Sequence, residues 1–197
     1  PKPATAPQVI GAIDPSFFAD ANGAPYLLYK TDGRPSSIRI LALTPDGLHP
    51  LAGAYSQELV NNAGVLENPV MLRRGGRYYL FNSYNDYARC DYATVWRTST
   101  SLLDWHASGS HVLLNRRKTH GLCGPGGADV LNTPTGPLMY FEAWTCKRSW
   151  QPCGRSFWSY SATWQRQHPV RALYAVKLGF NSAGAPYVKR YVRGSKH

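Results

Sequence analysis

Short apolar segments separated by turn residues run along the whole chain. They have the length of strands and are rich in aromatic and β-branched residues, whereas no helical apolar period extends convincingly beyond two turns. Turn residues such as Asn22-Gly23 and Gly75-Gly76 punctuate them. The pattern therefore predicts an all-β fold. The predicted strands cover residues 26–29, 38–43, 70–72, 77–81, 92–98, 128–131, 138–144, 173–178 and 187–188.

The predicted strands group into three units, near residues 10–50, 64–107 and 124–188. Each unit has an acidic-Pro or Gly-rich start, an aromatic strand, a turn and an aliphatic strand. A repeat of three or four strands is typical of propeller blades. The sequence thus predicts an N-terminal tail or linker over residues 1–9, propeller blades over residues 10–190 and a basic C-terminal tail over residues 191–197.

The charge of the chain is concentrated in its C-terminal part. The 197 residues include 22 Lys and Arg against 11 Asp and Glu, a formal charge of +11. Residues 1–110 are balanced, whereas residues 111–197 hold thirteen basic residues and only two acidic ones, Asp129 and Glu142. This asymmetry indicates either an anionic partner or surface for residues 111–197 or a solvated basic face without one. No apolar run is long enough for a membrane-spanning helix.

The four cysteines contain no C-x-x-C pair, which argues against a zinc ribbon. Two disulfides in an exported protein are the favoured interpretation, with Cys146–Cys153 closing a small loop within a long predicted loop over residues 145–168 and Cys90–Cys123 remaining. Three connectivities are possible, and four reduced cysteines are the alternative. The start at Pro1, without Met or a signal region, indicates a removed segment or a shortened chain. We expect a secreted or cell-envelope protein.

Two carboxylates stand out because of their position in the repeat. Asp14 precedes Pro15, and Glu67 precedes Asn68-Pro69, in each case just before a predicted strand and at equivalent places in successive units. In a propeller such positions converge near the central axis, and paired carboxylates are what glycosidic bond cleavage requires. The other interpretation is local turn and cap chemistry, which the spacing alone favours.

Four sequence blocks resemble glycoside hydrolase family 43. Residues 13–29 (IDPSFFADANGAPYLLY) are similar to the family's block IDPSFFxDxDGxxYLxY. Residues 65–69 (VLENP) with 76–83 (GRYYLFNS) resemble its block VEGPxxxxxxGxYYLxYS, residues 97–105 (RTSTSLLDW) its block RSTSLxGPW, and residues 124–131 (GPGGADVL) its block GxGHxxxV. Four blocks in the correct order are far more specific than any one of them.

The resemblance implies a five-bladed β-propeller of inverting enzymes that act mainly on arabinose- and xylose-containing polysaccharides. By it, Glu67 matches the general acid, and Asp14 matches the acid that tunes the pKa of the general acid and orients the substrate. The family's general base is an Asp in the first blade, but only 13 residues precede Asp14 here and none is acidic. We therefore expect about three blades in this chain and the base in a missing N-terminal segment or partner chain.

The resemblance also bears on metals, substrate contacts and partners. Gly127 stands where the family has a metal-associated His, so neither a metal site nor a cofactor is predicted. We expect the open blade faces to be covered by a second polypeptide that supplies the missing blades, or by self-association. The predicted substrate-binding residues are Phe17, Ser83, Tyr84, Asn85 and Arg171.

Two other functions are also compatible with the sequence. One is a non-catalytic carbohydrate-binding remnant that has lost its base together with its first blade. The other is nucleic-acid binding by residues 144–171, where aromatic residues alternate with Lys and Arg. No recognised nucleic-acid motif accompanies this second pattern.

Overall fold

The computed structural model describes residues 11–33, 35–149 and 151–192. In this part of the chain the fold is nearly all-β, which confirms the predicted fold class. The predicted tail over residues 1–9 and residues 193–197 of the predicted basic tail lie outside the described residues. The strands are β1 (Ala12–Ala19), β2 (Pro25–Thr31), β3 (Ser36–Ala42), β4 (Gln57–Asn62), β5 (Leu66–Arg74), β6 (Arg77–Tyr84), β7 (Ala93–Ser99), β8 (His111–Leu114), β9 (Cys123–Leu131), β10 (Leu138–Cys146), β11 (Gln151–Pro152), β12 (Pro169–Phe180) and β13 (Pro186–Tyr191).

The described strands form three antiparallel sheets, each centred on one predicted unit. Strands β1, β4, β8 and β11 are not among the predicted strands, and β4 and β8 extend their sheets beyond the predicted bounds of 10–50 and 64–107. The first sheet has the order β1-β2-β3-β4, and the second has the order β5-β6-β7-β8. In the third, β10, β12 and β13 follow one another, while β9 and the short β11 pair with different parts of β10. Sequential neighbours in four-stranded antiparallel sheets are typical of propeller blades.

The residues predicted as a long loop, 145–168, contain two short elements. Strand β11 pairs with the end of β10, and the single helical turn α1 covers Ala162–Gln165. In the part of the chain that the structure describes, no helix is long and apolar enough to cross a membrane.

The chain divides into two compact units. Unit 1 comprises the described residues up to Asn82 together with Trp96–Ser110, and unit 2 comprises Ser83–Val95 together with the described residues from His111 onward. Burial alternates along β10, because successive side chains of a strand point to opposite faces, whereas β5 and β6 contain continuous buried runs and are therefore covered on both faces. The fully buried side chains include Leu28, Ile38, Leu66 and Phe81 in unit 1 and Leu114, Met139, Phe141 and Val176 in unit 2.

Each sheet begins with the same backbone irregularity. Asp14, Asn68 and Gly124 precede a proline in the first strands of the three sheets, and their φ angles are 56°, 49° and 63°. In β1 the pairing register shifts between Ile13 and Ser16, as expected of a β-bulge. Asp and Asn tolerate the left-handed region better than most residues, and Gly adopts it freely.

This irregularity corrects the prediction that the two carboxylates are equivalent. Asp14 is itself the left-handed residue of its strand, whereas Glu67 comes one residue before the left-handed Asn68. The residue equivalent to Glu67 in the first sheet is therefore Ile13. Both carboxylates also lie inside their strands rather than before them, since β1 begins at Ala12 and β5 at Leu66. The following prolines fix where the bulge falls.

Both disulfides form as predicted, Cys90–Cys123 and Cys146–Cys153. Their four half-cystines lie in one buried cluster of unit 2 together with Phe157. Trp144 and Trp164 pack against this cluster from outside. The predicted loop over residues 145–168 thus contributes Cys146, Cys153 and Phe157 to a buried cluster that Cys90 and Cys123 complete.

Removing the Cys90–Cys123 disulfide is expected to cost more stability than removing Cys146–Cys153. The bridged residues are 33 and 7 positions apart, and chain-entropy arguments give a larger cost for the longer loop, about 3.5 against about 2.5 kcal/mol. Urea unfolding of the Cys90→Ala/Cys123→Ala and Cys146→Ala/Cys153→Ala variants measures both values. A larger loss for the second pair would contradict this expectation.

Candidate active site

Asp14 connects the first strands of two sheets within unit 1. Its Oδ2 accepts a hydrogen bond of 3.0 Å from the backbone N–H of Asn68, the residue directly after Glu67. Both residues have a left-handed backbone, and in β1 this coincides with the register shift between Ile13 and Ser16. The two segments that carry the predicted catalytic carboxylates are therefore held together at one place.

Glu67 is paired with a buried lysine that sequence reasoning did not identify. Lys30 Nζ lies 3.3 Å from Glu67 Oε1 and 3.9 Å from Asp32 Oδ1. The Lys30 side chain is only 5% exposed, that of Glu67 is 17% exposed, and that of Asp32 is 54% exposed. Because an ammonium group is expensive to bury without a partner, this pair fixes the position of the Glu67 carboxyl group.

The strand pattern around Lys30 indicates that this lysine is buried and needs an acidic partner. It lies two residues after Leu28 in β2, and both side chains are buried. Residues i and i+2 of a strand share a face, so a lysine at this place on an apolar face implies a carboxylate partner. The sequence cannot tell which carboxylate, because Glu67 is 37 residues away along the chain.

The second acidic residue of the first block, Asp20, has a different environment from that of Asp14. Its Oδ2 accepts a 2.9 Å hydrogen bond from the Tyr78 hydroxyl, and its Oδ1 lies 3.3 Å from Arg73 Nε. Burial and the hydrogen bond to Asp20 raise the pKa of Tyr78 above its ordinary value. Asp20 thus ties the end of β1 to β5 and β6 within unit 1.

The predicted sugar-contacting residues lie in both units. Phe17, in unit 1, is 61% exposed and has open ring surface, whereas its neighbour Phe18 is buried in the core. Ser83, in unit 2, is fully buried, and its Oγ accepts a 2.8 Å hydrogen bond from the N–H of Gly127. A sugar contact by either residue stays a prediction.

Tyr84 and Asn85 line a cavity of about 1030 Å³ in unit 2. Asn85 has a positive φ of 73°, and its amide Nδ2 donates a 2.9 Å hydrogen bond to the carbonyl oxygen of Asp91. This bond holds the turn after β6 in place. The structure therefore positions both residues at an accessible surface, where a contact with a ligand is sterically possible.

Arg171 is held by a carboxylate and by aromatic rings within unit 2. Its Nε donates a 2.7 Å hydrogen bond to Glu142 Oε2, and its guanidinium lies 5.4 Å from the ring centroid of Tyr92 and 5.6 Å from that of Trp144. Cation–π contacts of this kind stabilise a largely covered guanidinium. The predicted contact between Arg171 and substrate stays a prediction.

The position of the family's metal-associated His is occupied by Gly127, which has a φ of 62°. In the described part of the chain no group of three His, Cys, Asp or Glu side chains could hold a metal ion. The residues present therefore do not fit a metal site of the family's kind.

Comparison with known protein families identifies one match. The family model described as glycosyl hydrolases family 43 matches residues 2–169. No curated protein matches the chain at a significant level.

Solved structures share the fold at low sequence identity. An endo-1,4-beta-xylanase from Bacteroides thetaiotaomicron has 21% identity and a TM-score of 0.67, with 91% of this chain and 58% of that chain covered. The alpha-L-arabinanase of Cellvibrio cellulosa complexed with arabinohexaose has 18% identity and a TM-score of 0.65, with coverages of 90% and 56%. A xylan beta-1,4-xylosidase from Bacillus halodurans has 13% identity and a TM-score of 0.69, with coverages of 94% and 36%. The likeness shows an incomplete β-propeller, because the chain spans less than three-fifths of these structures.

Proposed function

Since the chain belongs to glycosyl hydrolase family 43, we propose that it is part of an inverting glycoside hydrolase that acts on arabinose- or xylose-containing polysaccharide. The observation that carries this proposal is the 3.0 Å hydrogen bond from the Asn68 N–H to Asp14 Oδ2, which fixes Asp14 beside the segment of Glu67. The names of structurally similar proteins, an arabinanase, a xylanase and a xylosidase, support the substrate class.

In this proposal Glu67 is the general acid. It donates a proton to the glycosidic oxygen as the bond to the anomeric carbon breaks, so that the sugar leaves as an alcohol rather than an alkoxide. Lys30 holds the Glu67 side chain through the 3.3 Å contact to Oε1. Asp14 positions the Asn68 backbone, and hence Glu67, and orients the substrate.

The general base is proposed to come from residues outside these 197. An inverting enzyme needs a second carboxylate roughly 6.5–9.5 Å from the acid, with room for the attacking water between them. Asp32 is near Glu67, but both carboxylates share the ammonium group of Lys30, at 3.9 Å and 3.3 Å. An ammonium group shared in this way leaves Asp32 paired rather than available to activate water.

We also propose which partners complete this chain and where the protein is located. A preceding segment or a second polypeptide would supply the base and cover the open side of the first blade, and self-association is the other way to cover it. Two disulfides support an exported protein, secreted or attached to the cell envelope, because such bonds persist in oxidising compartments.

The stereochemistry of hydrolysis tests the proposal. The protein purified from its source, with any companion identified by intact mass, is incubated with arabino- and xylo-oligosaccharides while proton NMR follows the first-formed anomer. We expect inversion at the anomeric carbon, because the acid and the base act on opposite faces. Retention would contradict the mechanism. Binding without hydrolysis by the complete protein would favour the carbohydrate-binding remnant instead.

A further inference from the structure

The cavity in unit 2 is lined by an unusual number of basic side chains. Arg89, Arg116, Arg117, Arg155 and His120 all border its volume of about 1030 Å³. Asp91 is the one acidic residue among those that line it. Every lining residue belongs to unit 2.

The basic residues come from three chain segments that the fold holds in place. Arg89 follows β6, Arg116 and Arg117 follow β8, and Arg155 follows Cys153. The turn after β8 is closed by a 2.8 Å hydrogen bond from the Gly121 N–H to the Arg116 carbonyl. The disulfides anchor the segments of Arg89 and Arg155, because Cys90 and Cys153 are the neighbouring half-cystines. Arg116 Nη1 donates a 3.1 Å hydrogen bond to the Cys153 carbonyl, which links the turn after β8 to the segment of Arg155.

The charges of these side chains are poorly compensated within the protein. In the described part of the chain, Arg89 pairs with Asp86 at 3.6 Å, whereas Arg116, Arg117 and Arg155 have no carboxylate within ion-pair distance. Like charges held together around one cavity repel one another, and a bound anion relieves that repulsion. The cavity is therefore suited to a negatively charged ligand.

The remaining lining residues favour a small hydroxylated anion over a nucleic acid. Tyr84, Asn85, Asn115 and Ser156 offer polar groups suited to sugar hydroxyls. Phe157 is 1% exposed and packs against Trp144 and Trp164, which leaves Tyr84 as the single lining Phe, Tyr or Trp ring with an open face, whereas nucleic-acid sites stack successive bases on several rings. A volume near 1000 Å³ accommodates a short oligosaccharide.

We propose that this cavity binds the carboxylate of a uronic acid residue in an acidic oligosaccharide. The planar guanidinium groups of Arg117 and Arg155 each present a pair of donors that matches a carboxylate, while the neutral polar residues contact the ring hydroxyls. This site does not depend on the catalytic roles proposed for Asp14 and Glu67. In this proposal three arginines of the basic range 111–197, together with Arg89 from outside that range, bind one specific anion.

Calorimetric titration of the unmodified chain tests the proposal with two ligands of equal length. We expect trigalacturonic acid to bind at least about tenfold more tightly than neutral xylotriose, because charge-assisted hydrogen bonds are the stronger ones. Equal affinities would overturn the proposal. Tighter binding of a single-stranded oligonucleotide or of inorganic phosphate would also overturn it, because the cavity would then be a general phosphate site.

A variant locates the binding in the cavity. We expect Arg117→Gln/Arg155→Gln to weaken trigalacturonic acid binding about 10- to 100-fold, and both side chains are exposed, so the fold should persist. Arg190→Gln, an exposed arginine of β13 that does not line the cavity, removes charge from unit 2 and should change the affinity less than about twofold. Equal losses in both variants would show that only net charge matters and would overturn the proposal.

Discussion

Glu67→Gln in the active protein is expected to lower the rate of hydrolysis of natural glycosidic bonds by about 10²- to 10⁴-fold, the range typical of a lost general acid. Glutamine keeps the shape of the side chain but cannot deliver a proton. Steady-state kinetics on arabino- and xylo-oligosaccharides measure the effect, which should fall on kcat far more than on KM.

Asp32→Asn is the matched control for this variant. Asp32 also contacts Lys30, at 3.9 Å, so its replacement perturbs the Lys30 environment without removing the proposed acid. We expect a rate within about fivefold of the unmodified protein, since the side chain is largely exposed and exposed ion pairs contribute little. A loss as large as that of Glu67→Gln would indicate that Asp32 acts in catalysis or that Lys30 is the essential group.

Gly124→Ala is expected to destabilise the protein by about 4 kcal/mol, from left-handed backbone strain and overpacking together. Gly124 has a φ of 63°, and an added Cβ would lie 2.4 Å from the carbonyl oxygen of Arg89 and 3.3 Å from Tyr92 Cβ. A main-chain oxygen next to a disulfide cannot move away cheaply. Chemical denaturation measures the loss of unfolding free energy.

Gly75→Ala separates the two contributions to this loss. Gly75 lies in the same left-handed region, with a φ of 55°, but a Cβ there meets no atom within 4 Å. The expected cost is the backbone strain alone, about 1–2 kcal/mol. If the two variants lose the same unfolding free energy, the close approach of Gly124 to the Arg89 carbonyl does not destabilise the alanine variant, and the overpacking argument is wrong.

Most strands, their grouping into three units and the Cys146–Cys153 disulfide were predictable because their signals are local, whereas strands β1, β4 and β8 were missed. Aromatic and β-branched runs between turn residues mark the strands, and the short spacing of Cys146 and Cys153 favours their pairing. The one-residue difference between the positions of Asp14 and Glu67 in their strands was not predicted, because it depends on backbone angles. Its sequence signal was the proline that follows Asp14, Asn68 and, in the third sheet, Gly124.

The contacts of the candidate site were not predictable, because they join distant parts of the chain. Lys30 is recognisable as a lysine on an apolar face, but its pairing with Glu67 depends on how two sheets meet within unit 1. The basic cavity likewise combines three segments. The excess of basic residues in 111–197 includes three of its arginines, but the sequence does not show that Arg89 lies beside them.

The most direct test of the claim that Glu67 is the general acid compares two leaving groups on the same sugar. Unmodified protein and Glu67→Gln are assayed with an arabino-oligosaccharide and with a dinitrophenyl arabinoside, whose leaving group needs no proton. If Glu67 is the general acid, we expect a loss of about 10²- to 10⁴-fold on the oligosaccharide and less than about tenfold on the dinitrophenyl substrate. Equal losses on both substrates would contradict this claim.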